Sequence, residues 1–290
     1  MNSSGLGPDF ICIGAQKAGT GWLYEQLRNH PDFWMPPMKE LHYFDRVVSA
    51  ADTQRSLAPA RKEQDRIRIA RERALNQRDQ DFLDKFARLS GPQTLDFEEY
   101  ANLFAAKGDL IAGDITPGYS TLDDVVVEKV VGRFPDARVI FIARDPVERA
   151  WSQLSMYVRR GLIEEFDPGD VNQVTEHLRR PEVRARSYPS EIVRRWRRRV
   201  SPDRLMVCFF DELKSDPVRL RASIITFLGG DPTKGSGELP PDHNAKARKE
   251  KLTLTEPAKK CLADFFREEL HACAAELRGP AVDWPARYGL

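Results

Sequence analysis

A short apolar run followed by a glycine loop constrains the fold more than any other part of this chain. Residues 9–14 read DFICIG, an aromatic and β-branched run that predicts a buried strand. Residues 14–19 have GxxxxG spacing, and residues 20–29, which read TGWLYEQLRN, predict a helix. A strand, a glycine loop and a helix in this order make up half of a βαβ unit.

Two further apolar runs predict strands of the same sheet. Residues 138–143, which read RVIFIA, form a near-continuous run, as expected for a central parallel strand covered on both faces. Residues 205–210 form another, and residues 110–112 are a possible short strand. Because strands alternate with helical patterns, we predict an α/β fold, a three-layer α/β/α sandwich with a mostly parallel sheet similar to that of P-loop NTPases. The helical patterns begin at Thr121, Pro146, Glu191, Pro217 and Thr255.

Length and charge set outer limits on the function. With 290 residues we expect a single domain over 1–290, carrying a charge-rich and mostly helical insertion at about 50–95. The balance of 45 basic against 44 acidic residues excludes a uniformly basic nucleic-acid coat. Four cysteines without CxxC spacing argue against a disulfide framework or a cysteine-based zinc site.

The chain also carries no sign of export or membrane insertion. Its apolar runs fall well short of the roughly 20 residues that a membrane helix needs. The first residues show no basic segment followed by an apolar one. We therefore expect a soluble cytoplasmic protein with no membrane or nucleic-acid partner, and the oligomeric state stays open.

The glycine loop has the features of an anion-binding site. Backbone N–H groups at a helix N-terminus favour negative charge, and Lys17 adds a positive charge within the loop. A nucleotide kinase would place lysine after the second glycine, followed by a hydroxyl that holds magnesium. Here Thr20 takes the place of that lysine. The alternative is an ordinary turn with two glycines.

A second candidate anion site follows the run at 138–143. Arg144 leaves the end of that strand, Asp145 and Glu148 predict a helix start of the capping-box kind, and Ser152 lies two turns into the helix. Ligands of open α/β sheets bind outside the carboxyl ends of the strands. We therefore expect Arg144 and Ser152 to share one crevice with the loop. The alternative is that Arg144 only pairs with Asp145 or Glu148.

Together these motifs resemble sulfotransferases that use 3′-phosphoadenosine 5′-phosphosulfate (PAPS). The two segments that match their nucleotide-binding motifs are residues 13–22 and 144–152. The similarity extends through residues 39–45 (KELHYFD) and 114–119 (DITPGY) and through the order of the strands. It covers most of the chain except about residues 50–95.

The resemblance implies a role for each matching residue. The loop residues would hold the 5′-phosphosulfate, Trp22 would stack on adenine, and Arg144 with Ser152 would bind the 3′-phosphate. Residues 243–249 loosely match a basic loop that closes over the nucleotide. The cofactor would be PAPS, its product 3′-phosphoadenosine 5′-phosphate (PAP), and no metal would be required. The implied nucleotide-binding residues are Lys17, Ala18, Gly19, Thr20, Gly21, Trp22, Arg144, Ser152, Lys246 and Arg248.

Candidate bases lie in residues 38–45. If this segment is extended after Pro36 and Pro37, then Glu40, His42 and Phe44 alternate onto one face. A carboxylate and an imidazole would stand side by side, and either could accept a proton. The Glu-x-His-x-Phe pattern is similar to Golgi glycan sulfotransferases, in which the glutamate is the base. We therefore expect Glu40 to be the base, with Lys17 steadying the leaving oxygen and His42 as an assistant or an alternative base.

A departure from that pattern bears on the acceptor. The glycan enzymes usually carry Glu-Lys-Thr-Pro, whereas this chain reads DITP, with Ile115 in place of the lysine. This weakens the case for a polyanionic glycan and leaves a small molecule, a glycoside or a sugar chain with a hydroxyl or amine as acceptor. We expect it to contact Glu40, His42, Phe44, Thr116, Pro117 and Tyr119.

Other functions remain open at this stage. A magnesium-dependent kinase could use the same loop, and a non-catalytic module could bind anions or glycans there. The arginine-rich run at 194–199 suggests nucleic-acid or glycan binding, but helical spacing favours a solvated face opposite Ile192, Val193 and Trp196. Residues 255–277 predict one amphipathic helix that packs on the core.

Overall fold

A computed structural model describes residues 6–46, 75–89, 95–235, 240 and 251–290. Its centre is a four-stranded sheet in which every neighbouring pair of strands is parallel and the order is β2-β1-β3-β4. The strands are β1 (Phe10–Gly14), β2 (Gly113–Ile115), β3 (Arg138–Ala143) and β4 (Leu205–Phe209).

The register brings the carboxyl ends of the two central strands together. Ile11 of β1 pairs with Asp114 of β2 on one side and with Val139 of β3 on the other. The glycine loop after β1 and Arg144 after β3 therefore leave the same edge of the sheet. This parallel α/β arrangement confirms the predicted fold class.

Helices connect the strands and flank the sheet. Among the described residues the α-helices are α1 (Thr20–Arg28), α2 (Gln77–Arg88), α3 (Phe97–Asn102), α4 (Asp124–Arg133), α5 (Pro146–Arg159), α6 (Val171–Leu178), α7 (Pro181–Arg184), α8 (Pro189–Arg197), α9 (Phe210–Ser215), α10 (Pro217–Leu228), α11 (Glu256–Phe265) and α12 (Arg267–Leu277). Short 3-10 helices lie at Phe44–Arg46, Ala105–Lys107, Pro117–Thr121, Gly279–Asp283 and Ala286–Tyr288.

Several boundaries differ from the sequence predictions, for example at the start of α8, which is Pro189 rather than Glu191. The strand expected at 110–112 begins at Gly113 instead. Helix α4 starts at Asp124 rather than Thr121, because the Asp123 side chain accepts a hydrogen bond from the Val126 N–H and caps it there. The single helix expected over 255–277 is two helices that meet at Phe266.

The sheet is buried on both faces, and the arginine-rich run is not. All five residues of β1 are buried, as are five of the six in β3. Ile192, Val193 and Trp196 of α8 face the core, while Arg194 and Arg198 are exposed and pair with acidic side chains. The solvated-face interpretation of this run is therefore the one that fits.

The charge-rich insertion is described only in part. Helix α2 buries Phe82 and Phe86, and Asp79 accepts a hydrogen bond from the Trp34 indole at 3.1 Å. The rest of the segment, 47–74 and 90–94, lies outside the described residues, so the single-domain expectation stays a prediction. No helix in the described ranges is long and apolar enough to cross a membrane.

A glycine in the edge strand β2 offers a test of how tightly β2 packs against the central strand β1. A Cβ at Gly113 would lie 2.5 Å from the Phe10 ring, which has no free space because Phe10 is fully buried. We expect Gly113→Ala to lower the free energy of unfolding by about 1–3 kcal/mol, measured by urea denaturation.

The matched control is Gly132→Ala in α4, where an added Cβ meets nothing within 4 Å. There the same substitution should raise stability by about 0.5–1 kcal/mol, because alanine loses less conformational freedom in a helix. Equal effects at the two positions would contradict this account of β2.

Candidate active site

The glycine loop is held in a conformation that ordinary residues rarely adopt. Gly19, the N-cap of α1, has φ 97°, and Lys17 has φ 74°. A Cβ at Gly19 would lie 2.6 Å from the Leu213 side chain, so α9 packs directly against the loop. A left-handed lysine is strained by about 1–3 kcal/mol and persists only where its surroundings hold it.

Arg144 ties this loop to the turn after β3. Its Nη1 donates a 2.6 Å hydrogen bond to the Lys17 carbonyl, and its Nη2 donates to Glu148 Oε2 at 3.0 Å. The guanidinium carbon also lies 4.3 Å from the Phe210 ring centroid. The Arg144 Nε is buried and has no acceptor among the described atoms. The two predicted anion-binding elements are therefore in direct contact.

The start of α5 differs in detail from the predicted capping box. Asp145 is the N-cap and accepts a hydrogen bond from the Val147 N–H, as expected. Glu148 does not reach back to the cap but pairs with Arg144 and with Lys214 of α9 at 2.9 Å. The pairing of Arg144 with Glu148 considered above is thus present.

Asp145 is almost completely buried and is bound by the last residues of the chain. The Tyr288 hydroxyl donates to its Oδ2 at 2.8 Å, and Arg287 Nη1 lies 3.7 Å away. Burial raises the pKa of Asp145 to about 6, although the Tyr288 hydrogen bond opposes this shift.

A carboxylate, an imidazole and a second carboxylate form a chain after Pro37. His42 Nε2 lies 3.3 Å from Glu40 Oε2, and His42 Nδ1 lies 2.8 Å from Asp45 Oδ2. Lys39 donates to the other Glu40 oxygen at 2.7 Å. About a third of the Glu40 side chain is exposed, so it stays accessible to a ligand.

The backbone of this segment is not the extended strand that we predicted. Glu40 has φ 68° and His42 has φ 54°, so both lie in the left-handed region. The two side chains nevertheless meet, since His42 Nε2 lies within 3.3 Å of Glu40 Oε2. The expected contact is present, and the expected conformation was wrong.

The charges fix the protonation states along this chain. Burial opposes ionisation of Glu40, but the hydrogen bond with His42 and the positive Lys39 outweigh it and lower the pKa of Glu40. Burial likewise disfavours the charged imidazole, but Asp45 and Glu40 together raise the pKa of His42. The arrangement favours a carboxylate at Glu40 and an imidazolium at His42 that donates from both nitrogens.

A buried carboxylate that the sequence did not single out supports this segment. Asp114 of β2 accepts hydrogen bonds from the hydroxyls of Thr116 (2.6 Å), Tyr119 (2.7 Å) and Tyr100 (3.0 Å). The Tyr119 oxygen in turn accepts from the Tyr43 N–H at 3.1 Å. Burial is the main cause of the raised pKa of Asp114, and the three hydroxyl donors partly offset it. Through the Tyr119 hydroxyl, Asp114 thus supports the main chain next to His42 from the buried side.

Several residues that were expected to contact the acceptor are buried. Phe44, Thr116 and Tyr119 have no measurable exposure, and Pro117 is also buried. The Phe44 ring packs against Tyr100 and Tyr119, with centroids 4.5 and 5.0 Å apart. Their burial does not fit direct contact with an acceptor. They support Glu40 and His42 from the core side.

The other predicted nucleotide-binding residues that the structure describes lie in the loop, on α1 and on α5. Thr20 and Ala18 are buried, while Gly21 and Trp22 on α1 and Ser152 on α5 are partly exposed. Ser152 lies between Trp151 and Ser155, both of which bind the main chain of Leu252. Lys246 and Arg248 lie outside the described residues. Across the described ranges, no group of side chains has the make-up of a metal site.

Asp145→Asn should expose the effect of the raised pKa of Asp145. Because the folded protein binds this proton more tightly than the unfolded chain, ionisation between about pH 4 and pH 6 costs stability. Relative to wild type, Asp145→Asn should gain about 3 kcal/mol in free energy of unfolding between about pH 4 and pH 7, measured by urea denaturation.

Tyr288→Phe provides a second test of the raised pKa of Asp145. It removes the hydroxyl that favours the ionised form, so the loss of stability with rising pH should become larger than in wild type. A stability difference between wild type and Asp145→Asn that does not change with pH would refute the burial of an ionisable Asp145.

Comparison with known proteins identifies the family and the fold of this chain. A family model described as "Sulfotransferase family" matches residues 8–233. A sulfotransferase from Alicyclobacillus acidocaldarius has the same fold, with a TM-score of 0.65, 22% identity and coverage of 96% of this chain and 98% of that one. The sulfotransferase domain of the Synechococcus PCC 7002 olefin synthase is 16% identical, with a TM-score of 0.48 and coverage of 100% and 98%.

No significant match was found among curated proteins. The family model nevertheless spans well over half of the chain, including the glycine loop, Glu40 and Arg144. The resemblance inferred from the motifs is confirmed, and the chain belongs to the sulfotransferase family.

Proposed function

We propose that this chain transfers a sulfuryl group from PAPS to a hydroxyl or amine acceptor, with Glu40 as the general base. The observation that carries the proposal is the bond from Arg144 to the Lys17 carbonyl, which joins two cationic turns at one edge of the sheet. A donor that carries phosphate on both sides of its ribose requires two such turns close together.

The residues present fit that donor. The loop offers backbone N–H groups at the start of α1 and the Lys17 ammonium, which suit the 5′-phosphosulfate. The buried Arg144 Nε, which lacks an acceptor, and the partly exposed Ser152 suit a 3′-phosphate. Bound there, the donor would supply the sulfuryl group. Trp22, partly exposed on α1, would stack on the adenine.

The chemistry left to the protein is proton removal and charge stabilisation. Glu40, ionised by its two cationic neighbours, would accept the proton of the attacking hydroxyl. His42, with both nitrogens facing carboxylates, would orient Glu40 rather than accept a proton itself. Lys17 would stabilise the negative charge that develops on the leaving oxygen.

Calorimetry separates this function from the kinase alternative. We expect PAP to bind without magnesium and more tightly than ATP with magnesium, because two cationic turns match its two phosphorylated positions. Lys17→Ala and Arg144→Ala should each weaken PAP binding by about tenfold or more, the effect of losing one hydrogen bond to a charged group. A preference for ATP with magnesium would favour a kinase and would overturn the assignment.

Glu40→Gln tests the base. It should abolish transfer, lowering kcat by about a hundredfold or more, while leaving the affinity for PAP within about twofold of wild type. Glu165→Gln, at an exposed position in the loop after α5, removes the same charge and should change neither quantity. Full turnover by Glu40→Gln would show that another group is the base.

The pH profile decides between Glu40 and His42 as the base. With Glu40 as base, kcat/KM should already be on its plateau at pH 4.5. That pH is the ordinary pKa of a glutamate, and the pKa of Glu40 is lowered from it. The value of kcat/KM should fall only above pH 6.5, the ordinary pKa of a histidine, because the pKa of His42 is raised from it. Above that pH the imidazolium that orients Glu40 is lost. If His42 were the base, kcat/KM would instead rise with pH above 6.5.

A further inference from the structure

An arginine beside the glycine loop has no acidic partner in the described chain. Arg186 lies between α7 and α8, and its Nη1 is 3.5 Å from Gln16 Oε1 in the loop. Its Nε is buried without an acceptor, and no carboxylate of the described residues lies within 4.0 Å of the guanidinium. The side chain is partly exposed, so a ligand can reach it.

A second arginine, Arg149, contacts the residue that follows Arg186 in the chain. Arg149 of α5 has no exposed surface, yet only its Nη2 is bonded, to Ser187 Oγ at 2.5 Å and to the Val183 carbonyl at 3.3 Å. Its Nε and Nη1 have no acceptor. Arg149 thus binds the residue that follows Arg186, and the charge of Arg186 acts on the Arg149 guanidinium, so the two incompletely bonded guanidinium groups belong to one region.

The electrostatics of this pair are unfavourable without an anion. Burial and, after it, the positive charges of Arg186 and Arg144 together lower the pKa of Arg149 to about 9. A buried charge without a counter-charge is costly, and a nearby anion would relieve it. The structure therefore contains positive charge beside the loop that no described carboxylate balances.

A chain of contacts connects Arg186 to the segment that carries the proposed base. A Cβ on Gly14 would lie 3.3 Å from Ser120 Cβ, and a Cβ on Gly118 would lie 3.3 Å from His42 Nδ1. The 3-10 helix at 117–121 thus touches both the loop and His42. Arg186 contacts the same loop at Gln16, so the loop is in contact both with Arg186 and with the 3-10 helix that touches His42.

We propose that Arg186, with Gln16 beside it and Arg149 behind it, binds an anionic group carried by the acceptor, such as a carboxylate, a sulfate or a phosphate monoester. This inference rests on the proposed function. Lys17 and Arg144 already serve the charged groups of the donor, so the additional cations suit the other substrate.

The test is a titration with inorganic sulfate as the probe anion. Calorimetry on protein saturated with PAPS should show sulfate binding, because the acceptor-side site stays open when the donor is bound. Arg186→Gln should weaken this binding by about ten- to a hundredfold, as expected for lost hydrogen bonds to a charged group. Arg186→Lys, which keeps the charge but not the planar fork, should retain part of it.

Arg184→Gln is the matched control, since it removes the same charge two residues away at an exposed position. It should leave sulfate binding unchanged. All three variants should keep wild-type affinity for PAP, which shows that they fold and that the donor site is intact.

Two results would overturn the inference. One is equal sulfate binding by wild type and Arg186→Gln. The other is sulfate binding only to the PAP-saturated protein, combined with a loss of PAPS but not PAP affinity in Arg186→Gln, which would assign the arginine to the transferring group of the donor. Failure of the proposed function would be seen separately, because wild-type protein would then not bind PAP. In that case sulfate titration of the unliganded protein, again comparing wild type with Arg186→Gln, tests Arg186.

Discussion

The hydrogen bond from Arg144 to the Lys17 carbonyl is the interaction on which the candidate site depends. It joins side chain and backbone across 127 positions of sequence and fixes the loop after β1 against the turn after β3. The parallel register makes this possible, because the two central strands end at the same edge of the sheet. Glu148 and Phe210 hold the guanidinium from two other directions, so the position of the loop depends on α5 and α9 as well.

Opposite charges alternate along the segment that carries the proposed base. Lys39, Glu40, His42 and Asp45 form a line in which each charged group neighbours one of opposite sign. Beneath it, Asp114 gathers three hydroxyl donors in a dry environment, where hydrogen bonds are strong and unpaired groups are costly. Glu40 is thus held by Lys39 and His42 and, through the main chain of residues 42 and 43, by Thr116 and Tyr119.

The sheet and the two cationic turns could be predicted from the sequence because each depends on a contiguous pattern. The run RVIFIA and the GxxxxG spacing describe local structure that survives in the fold. The left-handed backbone at Glu40 and His42 could not be predicted, since the contacts that hold it come from Thr116 and Tyr119, more than 70 positions away. Arg186 and Arg149 escaped notice for a related reason: arginines in helical regions usually face solvent, and only the fold shows which ones lack an acidic neighbour.

The position of β1 at the centre of the sheet has a consequence for how the protein folds. Its partners β2 and β3 lie roughly 100 and 130 positions later in the chain, so neither ladder can form until those positions have been synthesised. Pairings with such large sequence separation are slow to form, because chain entropy is lost before the contacts repay it. Strand β1 therefore lacks both neighbouring strands while the intervening residues are synthesised, and an unpaired apolar strand of this kind is prone to aggregation.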